Sequence, residues 1–420
     1  MLNQIKKIAK FIAPSFLIRW HHFSQAFLGA VFYGFPSKKI IVIGVTGTNG
    51  KSTVIKMLFE ILKDEYKVAS FSSIESRIGD ERWDNNLRMT MPGRFILQRF
   101  LRKAVNSNCR YVILEVTSEG IKQYRHKFID FNIAVFTNLS PEHIESHGSF
   151  EKYRLAKTEL FKATKGVHVL NMDDDNIQYY NFPTNEKYYY GISRNSEEGK
   201  EIRAINCVSD EKGSTFKVRG TSFSLSLLGS FNIYNALAAI CVGLSQDINL
   251  ESCSKSLRRI KNISGRMETV ISEPFTVIVD YAFTPNALDK VYSSVRKNFN
   301  PKKLICVLGA CGGGRDKWKR PVLGKIAQKY CQEIIVTNED PYDENLEEII
   351  DQVLEGAGSN ARKIIDRREA IKESLKIAEK GDIVLITGKG SESSICLKDG
   401  KRKSWDDRMV VREEFKKIRK

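Results

Sequence analysis

The sequence lacks the signatures of several protein classes. Its eight cysteines include no CxxC pair, which argues against a zinc ribbon. No apolar stretch reaches the roughly 20 residues that span a bilayer, and no convincing signal-peptide cleavage site is present. We therefore expect a cytoplasmic protein whose cysteines are reduced thiols. With 42% hydrophobic residues and only 10 prolines, the chain is neither disordered nor collagen-like.

Acidic residues are the scarcer charge. The chain has 67 Lys and Arg against 50 Asp and Glu, which gives a formal net charge of +17. Such an excess favours an anionic partner: nucleic acid, an anionic membrane or a phosphorylated small molecule. The length of 420 residues predicts two or three domains.

The N-terminal segment is both basic and apolar. Lys6, Lys7, Lys10 and Arg19 are interleaved with aliphatic and aromatic residues, and a short apolar stretch from Ala26 to Phe35 follows. Two interpretations stay open. The segment is either a helical pair that packs on the next domain or a basic amphipathic helix that lies on an anionic membrane surface.

The rest of the chain has an α/β pattern. Short apolar runs typical of buried strands, beginning with Ile40–Ile43, alternate with helical stretches. This predicts an α/β fold with a central P-loop-type, mostly parallel sheet, a small antiparallel insertion around residues 185–228 and a C-terminal Rossmann-like α/β domain. We place the N-terminal helices at residues 1–38, the central domain at 39–264 and the C-terminal domain at 265–420.

A glycine-rich loop follows the first strand. In Gly44-Val-Thr-Gly-Thr-Asn-Gly-Lys51-Ser52-Thr53, backbone N–H groups and the following helix dipole favour a bound phosphate. We expect Lys51 to reach the β- and γ-phosphates and the Ser52 hydroxyl to bind Mg²⁺. The predicted nucleotide loop consists of Gly47, Thr48, Asn49, Gly50, Lys51, Ser52 and Thr53.

The longer string GVTGTNGKST resembles the ATP loop of the Mur ligases, which use ATP to add amino acids to the peptidoglycan precursor. The resemblance runs from about residue 40 to 415 and continues through LEVTSEG, HGSFEKYRLAK, GRME and DYAFTP. It is strongest to the MurE type, which adds the third amino acid to a UDP-muramoyl dipeptide. The resemblance implies two catalytic domains that use ATP and Mg²⁺.

The resemblance also implies which residues act on the metal and the phosphates. Glu115 matches a magnesium ligand, His143 a metal-site histidine, and Lys157 a lysine that is carbamylated into a carboxylate-like ligand. An unmodified ammonium would compete with Mg²⁺, which agrees with such a modification. The implied metal set is Ser52, Glu115, His143 and Lys157, and the implied catalytic set is Lys51, His143, Lys157 and Arg266.

Further positions are implied to contact the nucleotide and the substrates. Asn232 in GSFNIYNALAA and Asp280 in DYAFTP match nucleotide-contacting positions. Arg320 is expected to pair with the carboxylate of the incoming amino acid and Glu392 with one of its ammonium groups. The full set of implied substrate residues is Thr90, Thr117, Ser118, Gln123, Arg125, Arg320, Asp340, Tyr342, Gly388 and Glu392.

Two departures from the family pattern affect the substrates. Only about forty residues precede the phosphate loop, where the family carries a uridine diphosphate-binding domain. We therefore expect an acceptor that lacks UDP or holds it differently, and N-terminal helices that bring the enzyme to a membrane. In addition, Asn338-Glu-Asp340-Pro-Tyr342 replaces the DNPR motif of diaminopimelate-adding relatives. Tyr342 cannot form the charge-assisted fork of an arginine, so lysine or another basic amino acid is expected.

These motifs predict an ATP-dependent acid–amino acid ligase that forms an amide through an acyl phosphate. The expected reaction adds a diamino acid such as lysine to a muramoyl-dipeptide-like peptidoglycan precursor. The expected partners are the small amino acid and an anionic precursor, with no nucleic acid. We expect a monomeric cytoplasmic enzyme at the inner face of the membrane. The alternatives are a folylpolyglutamate synthetase-like glutamate ligase and a non-catalytic nucleotide-binding protein.

Overall fold

The computed structural model describes residues 15–85, 90–196 and 198–418. The predicted N-terminal pair therefore lies partly outside the described residues, and Lys6, Lys7 and Lys10 are among those outside. The chain divides into two compact units. The first unit extends to Leu139 and includes Tyr153–Arg203 and Tyr234–Ser256, and the second consists of Ser140–Lys152, Ala204–Ile233 and Leu257–Lys420.

The first unit contains a nine-stranded sheet in the order β4-β3-β2-β5-β1-β6-β7-β8-β9. Strands β1 to β9 are Ile41–Thr46, Val68–Phe71, Glu75–Ile78, Glu81–Asp84, Tyr111–Glu115, Ile133–Phe136, Val167–Asn171, Glu186–Gly191 and Lys200–Arg203. The β2–β3 and β3–β4 pairs are antiparallel, whereas the other neighbouring pairs are parallel. Strand β1 lies between β5 and β6, so the carboxyl ends of these three strands meet at one edge of the sheet, where ligands bind in parallel α/β sheets.

The second unit contains three smaller sheets. Strands β10 to β20 are Ile205–Asp210, Gly213–Val218, Thr221–Leu225, Glu268–Ile271, Thr276–Val279, Leu304–Leu308, Glu333–Val336, Ala361–Lys363, Ile383–Ile386, Ser394–Cys396 and Arg402–Ser404. Strands β10, β11 and β12 form an antiparallel sheet, and β19 pairs antiparallel with β20. The six-stranded sheet has the order β13-β14-β18-β15-β16-β17, and only its β13–β14 pair is antiparallel.

Thirteen α-helices connect the described strands. Helices α1 to α13 are Ser15–Phe32, Lys51–Leu62, Arg94–Asn106, Ser118–Lys122, Ile144–His147, Phe150–Ala163, Phe231–Ser245, Leu250–Arg258, Pro285–Phe299, Lys319–Tyr330, Leu346–Ala357, Arg367–Lys376 and Asp407–Ile418. Short 3₁₀ turns occur at Pro36–Lys39, Ile177–Tyr180 and Lys398–Gly400. No described helix is long and apolar enough to cross a membrane.

The six-stranded sheet is covered by helices on both faces. Along β15, Leu304 and Cys306 belong to a core shared with helices α9, α10 and α11, whereas Ile305 and Val307 belong to a core shared with α12 and α13. Successive strand side chains point to opposite faces. A strand buried on both faces therefore has a continuous apolar sequence, which explains the run from Leu304 to Leu308.

A buried ion pair joins helices α12 and α13 to this sheet. Arg367 Nη2 lies 2.7 Å from Asp407 Oδ2, and both side chains are fully buried. The guanidinium also donates to the carbonyl oxygens of Asn338 and Thr387, at 3.2 and 2.8 Å. These carbonyls lie at the carboxyl ends of β16 and β18. Arg367 therefore fixes the two strand ends from which the loops of the second unit depart.

The predicted α/β class is confirmed, with two corrections. We expected the antiparallel insertion to begin near residue 185, but β8 and β9 extend the parallel sheet and only β10 to β12 form the antiparallel one. Segments of only six and four residues do not reveal from sequence which neighbour they pair with. The domain boundaries that we placed at residues 38 and 264 remain a prediction.

One cysteine pair also departs from the sequence expectation. We expected reduced thiols throughout, but Cys306 and Cys331 form a disulfide with a Cα–Cα distance of 6.1 Å. Cys306 lies on β15, and Cys331 directly follows helix α10. The two residues are 25 positions apart, so only the fold brings them within disulfide range. The other six cysteines are free thiols.

Candidate active site

The glycine-rich loop connects β1 to helix α2 and needs glycine at two positions. Gly47 has φ +147° and Gly50 has φ +85°, values that side-chain-bearing residues rarely adopt. A Cβ atom at Gly47 would lie 1.9 Å from Thr137 Oγ1, and one at Gly50 would lie 2.4 Å from Asn235 Oδ1. The loop therefore follows its neighbours so closely that its backbone N–H groups, rather than side chains, define its inner surface.

Two residues at the carboxyl end of β6 hold the loop in place. The Asn49 N–H donates to Asn138 Oδ1 at 3.0 Å, and the Asn138 amide donates to the Asn49 carbonyl at 3.1 Å. Thr137 Oγ1 donates to the same carbonyl at 2.7 Å. Sequence reasoning did not identify either residue as part of the site. The feature that could have indicated them is their position directly after a buried strand that neighbours β1.

Lys51 is the first residue of helix α2, and its ammonium folds back over the loop. Its Nζ donates to the carbonyl oxygens of Gly47 and Thr48 at 3.1 and 2.9 Å and lies 3.8 Å from Glu115 Oε1. A helix N-terminus with an adjacent ammonium attracts anions, because both the backbone dipole and the charge are positive there. This position suits a phosphate ligand, and the role of Lys51 at the β- and γ-phosphates remains a prediction.

Glu115 and Ser52 meet at the carboxyl ends of β5 and β1. Ser52 Oγ donates to Glu115 Oε2 at 2.8 Å, and the Ser73 N–H donates to the same oxygen at 2.9 Å. Ser52 Oγ is also 2.8 Å from Ser73 Oγ. A hydroxyl and a carboxylate are hard oxygen donors of the kind that Mg²⁺ prefers. The donor set fits Mg²⁺, and Ser73 is a neighbour that the sequence did not identify.

Lys157 is almost completely buried on helix α6. Its Nζ donates to the Gly47 carbonyl at 2.7 Å and lies 4.8 Å from the centre of the Tyr153 ring. Burial and the nearby Lys51 ammonium hold the pKa of Lys157 well below its usual value, although Glu115 acts in the opposite direction. Tyr153, whose hydroxyl lies 3.0 Å from Thr48 Oγ1, links the same helix to the loop. A buried amine with a lowered pKa is a nucleophile at neutral pH.

The first unit therefore brings together most of the predicted phosphate and metal residues. Ser52, Glu115, Lys51 and Lys157 all contact the loop or one another. His143 belongs to the second unit. Within the described residues, no group of three or more His, Cys, Asp or Glu side chains is placed to hold a metal ion.

Several of the predicted acceptor residues surround the short helix α4. Thr117 caps this helix, because its Oγ1 accepts a hydrogen bond from the Gly120 N–H at 3.1 Å. Arg125 donates to the Met91 carbonyl and, at 2.8 Å, to Gln123 Oε1. Ser118 is buried, and Thr90 is half-buried beside Met91 in the sequence. These contacts show that Thr117 and Arg125 shape the local backbone.

Two predicted nucleotide residues of the second unit have defined partners. Asp280 accepts the N–H groups of Met267 and Ala282, both at 2.7 Å. Burial raises the pKa of the Asp280 carboxyl, whereas the Arg266 charge and these two N–H donors lower it. The Arg266 guanidinium lies 4.3 Å from the centre of the Tyr281 ring. Asn232 donates to the Leu228 carbonyl at 2.8 Å, as a helix-end residue does.

A cluster of carboxylates surrounds Lys389 in the second unit. Lys389 Nζ donates to Asp340 Oδ1 at 2.9 Å and to Glu392 Oε2 at 2.5 Å. The Tyr281 hydroxyl donates to Glu392 Oε1 at 3.1 Å. Glu339 is also buried, and Cys311 Sγ donates to its Oε1 at 2.8 Å. Burial raises the pKa of the Glu339 carboxyl.

Positive-φ residues shape the loops around this carboxylate cluster. Gly388 has φ +105°, and a Cβ there would lie 2.4 Å from Glu339 Oε2. Tyr342 has φ +52°, and its ring packs on Gly313, where a Cβ would lie 2.6 Å away. The predicted substrate residues Asp340, Tyr342, Gly388 and Glu392 therefore come from two loops that pack closely together.

Arg320 already has protein partners in this unit. Its guanidinium donates to Gln352 Oε1 at 2.7 Å, to Glu344 Oε2 at 2.8 Å and to the Cys311 carbonyl at 3.1 Å. The side chain is only 1% exposed. In this arrangement Arg320 holds the loop that contains Cys311 against helix α11. Its predicted role toward the amino acid remains a prediction.

The segment that carries His143 is anchored to the start of helix α10. Asp316 accepts the N–H groups of Ile144 and Glu145 at 3.2 and 2.9 Å. Lys319 Nζ lies 2.6 Å from Glu142 Oε1, and both side chains are buried. His143 itself has φ +58°. Sequence reasoning did not identify Asp316 and Lys319 as the residues that hold this segment in place.

Family models and curated relatives match most of the chain. The Mur ligase middle domain matches residues 45–243, and the Mur ligase glutamate ligase domain matches residues 265–390. The UDP-N-acetylmuramoyl-L-alanyl-D-glutamate--2,6-diaminopimelate ligase of Syntrophomonas wolfei is 35% identical, over 92% of this chain and 81% of its own length. The enzyme of the same name from Thermosynechococcus vestitus is 37% identical, over 93% and 79%.

Solved structures have the same fold. A diaminopimelate ligase of this name has a TM-score of 0.61 and 29% identity and covers 91% of this chain and 79% of its own. A Mycobacterium tuberculosis folylpolyglutamate synthase has a TM-score of 0.70 but only 15% identity, over 87% and 92%. The second likeness shows the fold alone. The sequence matches and the phosphate loop together show that the chain belongs to the Mur ligase family of ATP-dependent acid–amino acid ligases.

Proposed function

We propose that this ligase joins a diamino acid to a carboxylate of a muramoyl-dipeptide-like peptidoglycan precursor. The observation that carries the proposal is the loop cluster of Lys51, Ser52, Glu115 and Lys157, which suits ATP and Mg²⁺. Relatives at 35 and 37% identity are ligases for a muramoyl dipeptide and 2,6-diaminopimelate. These relatives support the acceptor class.

The proposed chemistry has two steps. An acceptor carboxylate oxygen attacks the γ-phosphorus of ATP, ADP leaves, and an acyl phosphate forms. The amine of the incoming amino acid then attacks the acyl carbon, phosphate leaves, and the nitrogen loses a proton. The loop N–H groups and Lys51 orient and stabilise the phosphates. Mg²⁺ held by Ser52 and Glu115 would neutralise the charge of the β- and γ-phosphates.

Lys157 is proposed to act after carbamylation. Its buried amine, with a lowered pKa, would attack CO₂, so that an N–C bond forms and a proton leaves. The product is an anionic group in place of an ammonium, which would remove the repulsion between Lys157 and a metal ion. His143 as a further metal ligand, Arg266 at the transferred phosphoryl group and Arg320 at the amino acid carboxylate are carried as predictions.

We propose lysine or another basic diamino acid rather than diaminopimelate. Two carboxylates, from Asp340 and Glu392, share a single ammonium, that of Lys389. This balance favours an incoming ammonium and disfavours a second substrate carboxylate. Tyr342 offers no guanidinium to a distal carboxylate. The relatives that use diaminopimelate make it the direct competitor to test.

The deciding experiment is mass spectrometry of the product. Purified protein, ATP and Mg²⁺ are incubated with muramoyl-dipeptide, with or without UDP, and with equal concentrations of lysine and diaminopimelate. We expect an ATP-dependent lysine adduct. Equal or better incorporation of diaminopimelate would refute the amino acid assignment, and ATP-dependent addition of glutamate to a folate would refute the acceptor class. Glu115→Gln, which keeps the size but removes the charge, should abolish the product.

The working place of the enzyme is a further part of the proposal. We propose that it acts as a monomer in the cytoplasm, at the inner face of the membrane, without nucleic acid. Sedimentation velocity of the full chain tests the oligomeric state, and a single species near 47.9 kDa is expected.

A further inference from the structure

Helix α1 exposes a continuous apolar face. Seven of its large apolar side chains are between 45 and 75% exposed: Phe16, Leu17, Trp20, Phe27, Leu28, Val31 and Phe32. Their spacing of three, four and seven residues places them along one side of the helix. We call these seven side chains the apolar face. Soluble surfaces rarely gather so many large apolar groups on one element unless the surface binds something.

The opposite side of α1 holds the helix firmly on the first unit. Ala26 and Ala30 are buried. The Phe23 ring lies 5.1 Å, centre to centre, from the Phe128 ring, and Arg94 Nη1 donates to Gln25 Oε1 at 3.2 Å. These contacts fix the rotation of the helix. Phe27 also packs on Phe128, with ring centres 5.4 Å apart, whereas the other side chains of the apolar face point away from the unit, so the helix does not need to detach to expose them.

Helix α3 extends the same surface. A Cβ atom at Gly29 would lie 3.6 Å from the Phe95 ring, so α1 and α3 pack closely at this point. Phe95 and Ile96 are themselves exposed. The surface therefore continues from one helix to the next, in contrast to the isolated exposed apolar residues that are common on soluble proteins.

The charged residues of helices α1 and α3 are all basic. Helices α1 and α3 contain five basic residues and no Asp or Glu: Arg19, Arg94, Arg99, Arg102 and Lys103. In the sequence, residues 1–39 also contain Lys6, Lys7, Lys10, Lys38 and Lys39 and no acidic residue. An apolar face rich in Trp, Phe and Leu with basic neighbours is the pattern of helices that lie in the membrane interface.

We propose that the apolar face of α1, continued by Phe95 and Ile96, binds the surface of an anionic phospholipid bilayer. The rings and aliphatic side chains enter the boundary between headgroups and acyl chains, while the exposed Arg19 and Arg99 contact lipid phosphates. This inference deepens the membrane contact proposed above by assigning the surface and the lipid charge. It does not depend on which amino acid the ligase adds.

A second copy of the chain is a less suitable occupant. In a two-fold dimer formed through this face, the basic residues of one chain would face the same residues of the other. Neither α1 nor α3 has a carboxylate to neutralise the opposing charges. Like charges that face each other across an interface weaken it. A lipid surface supplies phosphate groups for the same cations.

Vesicle flotation of the full chain tests the proposal. Vesicles of phosphatidylcholine alone are compared with vesicles that contain about 30% phosphatidylglycerol, since surface charge adds to apolar insertion. We expect flotation with the anionic vesicles and at least about tenfold weaker binding to the neutral ones or at 0.5 M salt. Trp20, at 70% exposure the most exposed of the four tryptophans, should show a blue-shifted emission on binding.

Two exposed double variants provide the matched comparison. Trp20→Ser with Leu28→Ser removes two exposed side chains of the apolar face and should reduce binding about tenfold or more. Ile205→Ser with Val208→Ser removes similarly exposed apolar residues from the small antiparallel sheet and should leave binding unchanged. Both should keep the thermal unfolding temperature and the turnover of a water-soluble acceptor.

Three outcomes would overturn the inference. The first is that the full chain stays in the soluble fraction with anionic vesicles. The second is that the Trp20 and Leu28 variant floats as well as the unchanged protein. The third is that sedimentation velocity finds a dimer that this variant dissociates. The last result would assign the face to a second copy. Loss of ligase turnover with intact flotation would instead contradict the proposed function alone.

Discussion

Substitution of Gly47 by alanine tests whether the loop geometry determines ATP use. The added Cβ would lie 1.9 Å from Thr137 Oγ1, whereas ordinary contacts begin at 3.4 Å, so the loop would have to move by about 1.5 Å. A rotation of Thr137 does not relieve the conflict, because the Asn138 carbonyl and N–H atoms lie 2.9 and 3.0 Å away. The φ of +147° adds backbone strain for alanine.

A displacement of this size moves the N–H groups that would face the phosphates. Misplacement of reacting groups by about 1 Å costs on the order of 10²-fold in rate. We therefore expect kcat/KM for ATP to fall by about 10²-fold or more in Gly47→Ala. Steady-state ADP release with varied ATP gives kcat/KM, and calorimetric titration with ADP gives the affinity without turnover.

The matched control is Gly93→Ala, at the start of helix α3. No atom lies within 4 Å of a Cβ at Gly93, and its φ of −56° suits any residue. This variant should retain kcat/KM within about twofold, because surface substitutions away from special geometry are nearly neutral. If Gly47→Ala folds, as judged by thermal unfolding, and still binds ADP and turns over ATP like the control, the steric argument for the loop is wrong.

Three further predictions concern buried charges. Lys157→Met should abolish turnover yet raise the free energy of unfolding at pH 7, because burial lowers the pKa of Lys157. This gain in stability should shrink as the pH rises toward 10.5. A variant less stable than the unchanged protein would contradict the prediction. Burial lowers the pKa of His126 from 6.5 to about 4. The contribution of neutral His126 to the free energy of unfolding is therefore complete above pH 6.5 and is lost as the pH falls toward 4. Between pH 6.5 and 4, the free energy of unfolding of His126→Phe should therefore fall by about 3 kcal/mol less than that of the unchanged protein, as measured by urea unfolding. Parallel pH curves for the two proteins would argue against this prediction. Arg367→Met should cost about 3–5 kcal/mol because it leaves Asp407 buried without its partner, whereas Arg362→Met, in partly exposed ion pairs, should cost less than about 1 kcal/mol in the same assay.

The parts of the site that could be predicted are local in sequence. The phosphate loop lies between one strand and one helix, so its position follows from about ten consecutive residues. Glu115 could be placed because it ends a strand, and parallel strands end at a common sheet edge. Lys157 lies on helix α6, Phe150–Ala163, within the alternation of apolar runs and helical stretches that the sequence predicted. Each of these inferences needs only periodicity and the order of elements.

The parts that could not be predicted are contacts between residues distant in sequence. Asn138 reaches the loop across 89 positions, and Asp316 reaches the His143 segment across about 170. Neither residue type nor spacing indicates such a partner before the sheet order is known. The disulfide between Cys306 and Cys331 and the placement of β8 and β9 were missed for the same reason.

Arg320 shows why motif position alone is an incomplete guide to function. The sequence motif suggests a guanidinium available to a substrate carboxylate, but Glu344, Gln352 and the Cys311 carbonyl already accept its hydrogen bonds. A substrate carboxylate would have to replace Glu344, a partner of the same charge and geometry, so the net gain in binding would be small. The motif thus identifies the arginine, but only the structure shows that its hydrogen bonds are already made within the protein.

Part of the net positive charge can be assigned to one segment of the chain. Residues 1–39 contain six Lys and Arg and no Asp or Glu, so they supply six of the +17 charges from fewer than a tenth of the 420 residues. Among the described residues, helices α1 and α3 carry five basic residues and no Asp or Glu, so this part of the excess lies on the same two helices as the apolar face and suits an anionic surface better than a small substrate.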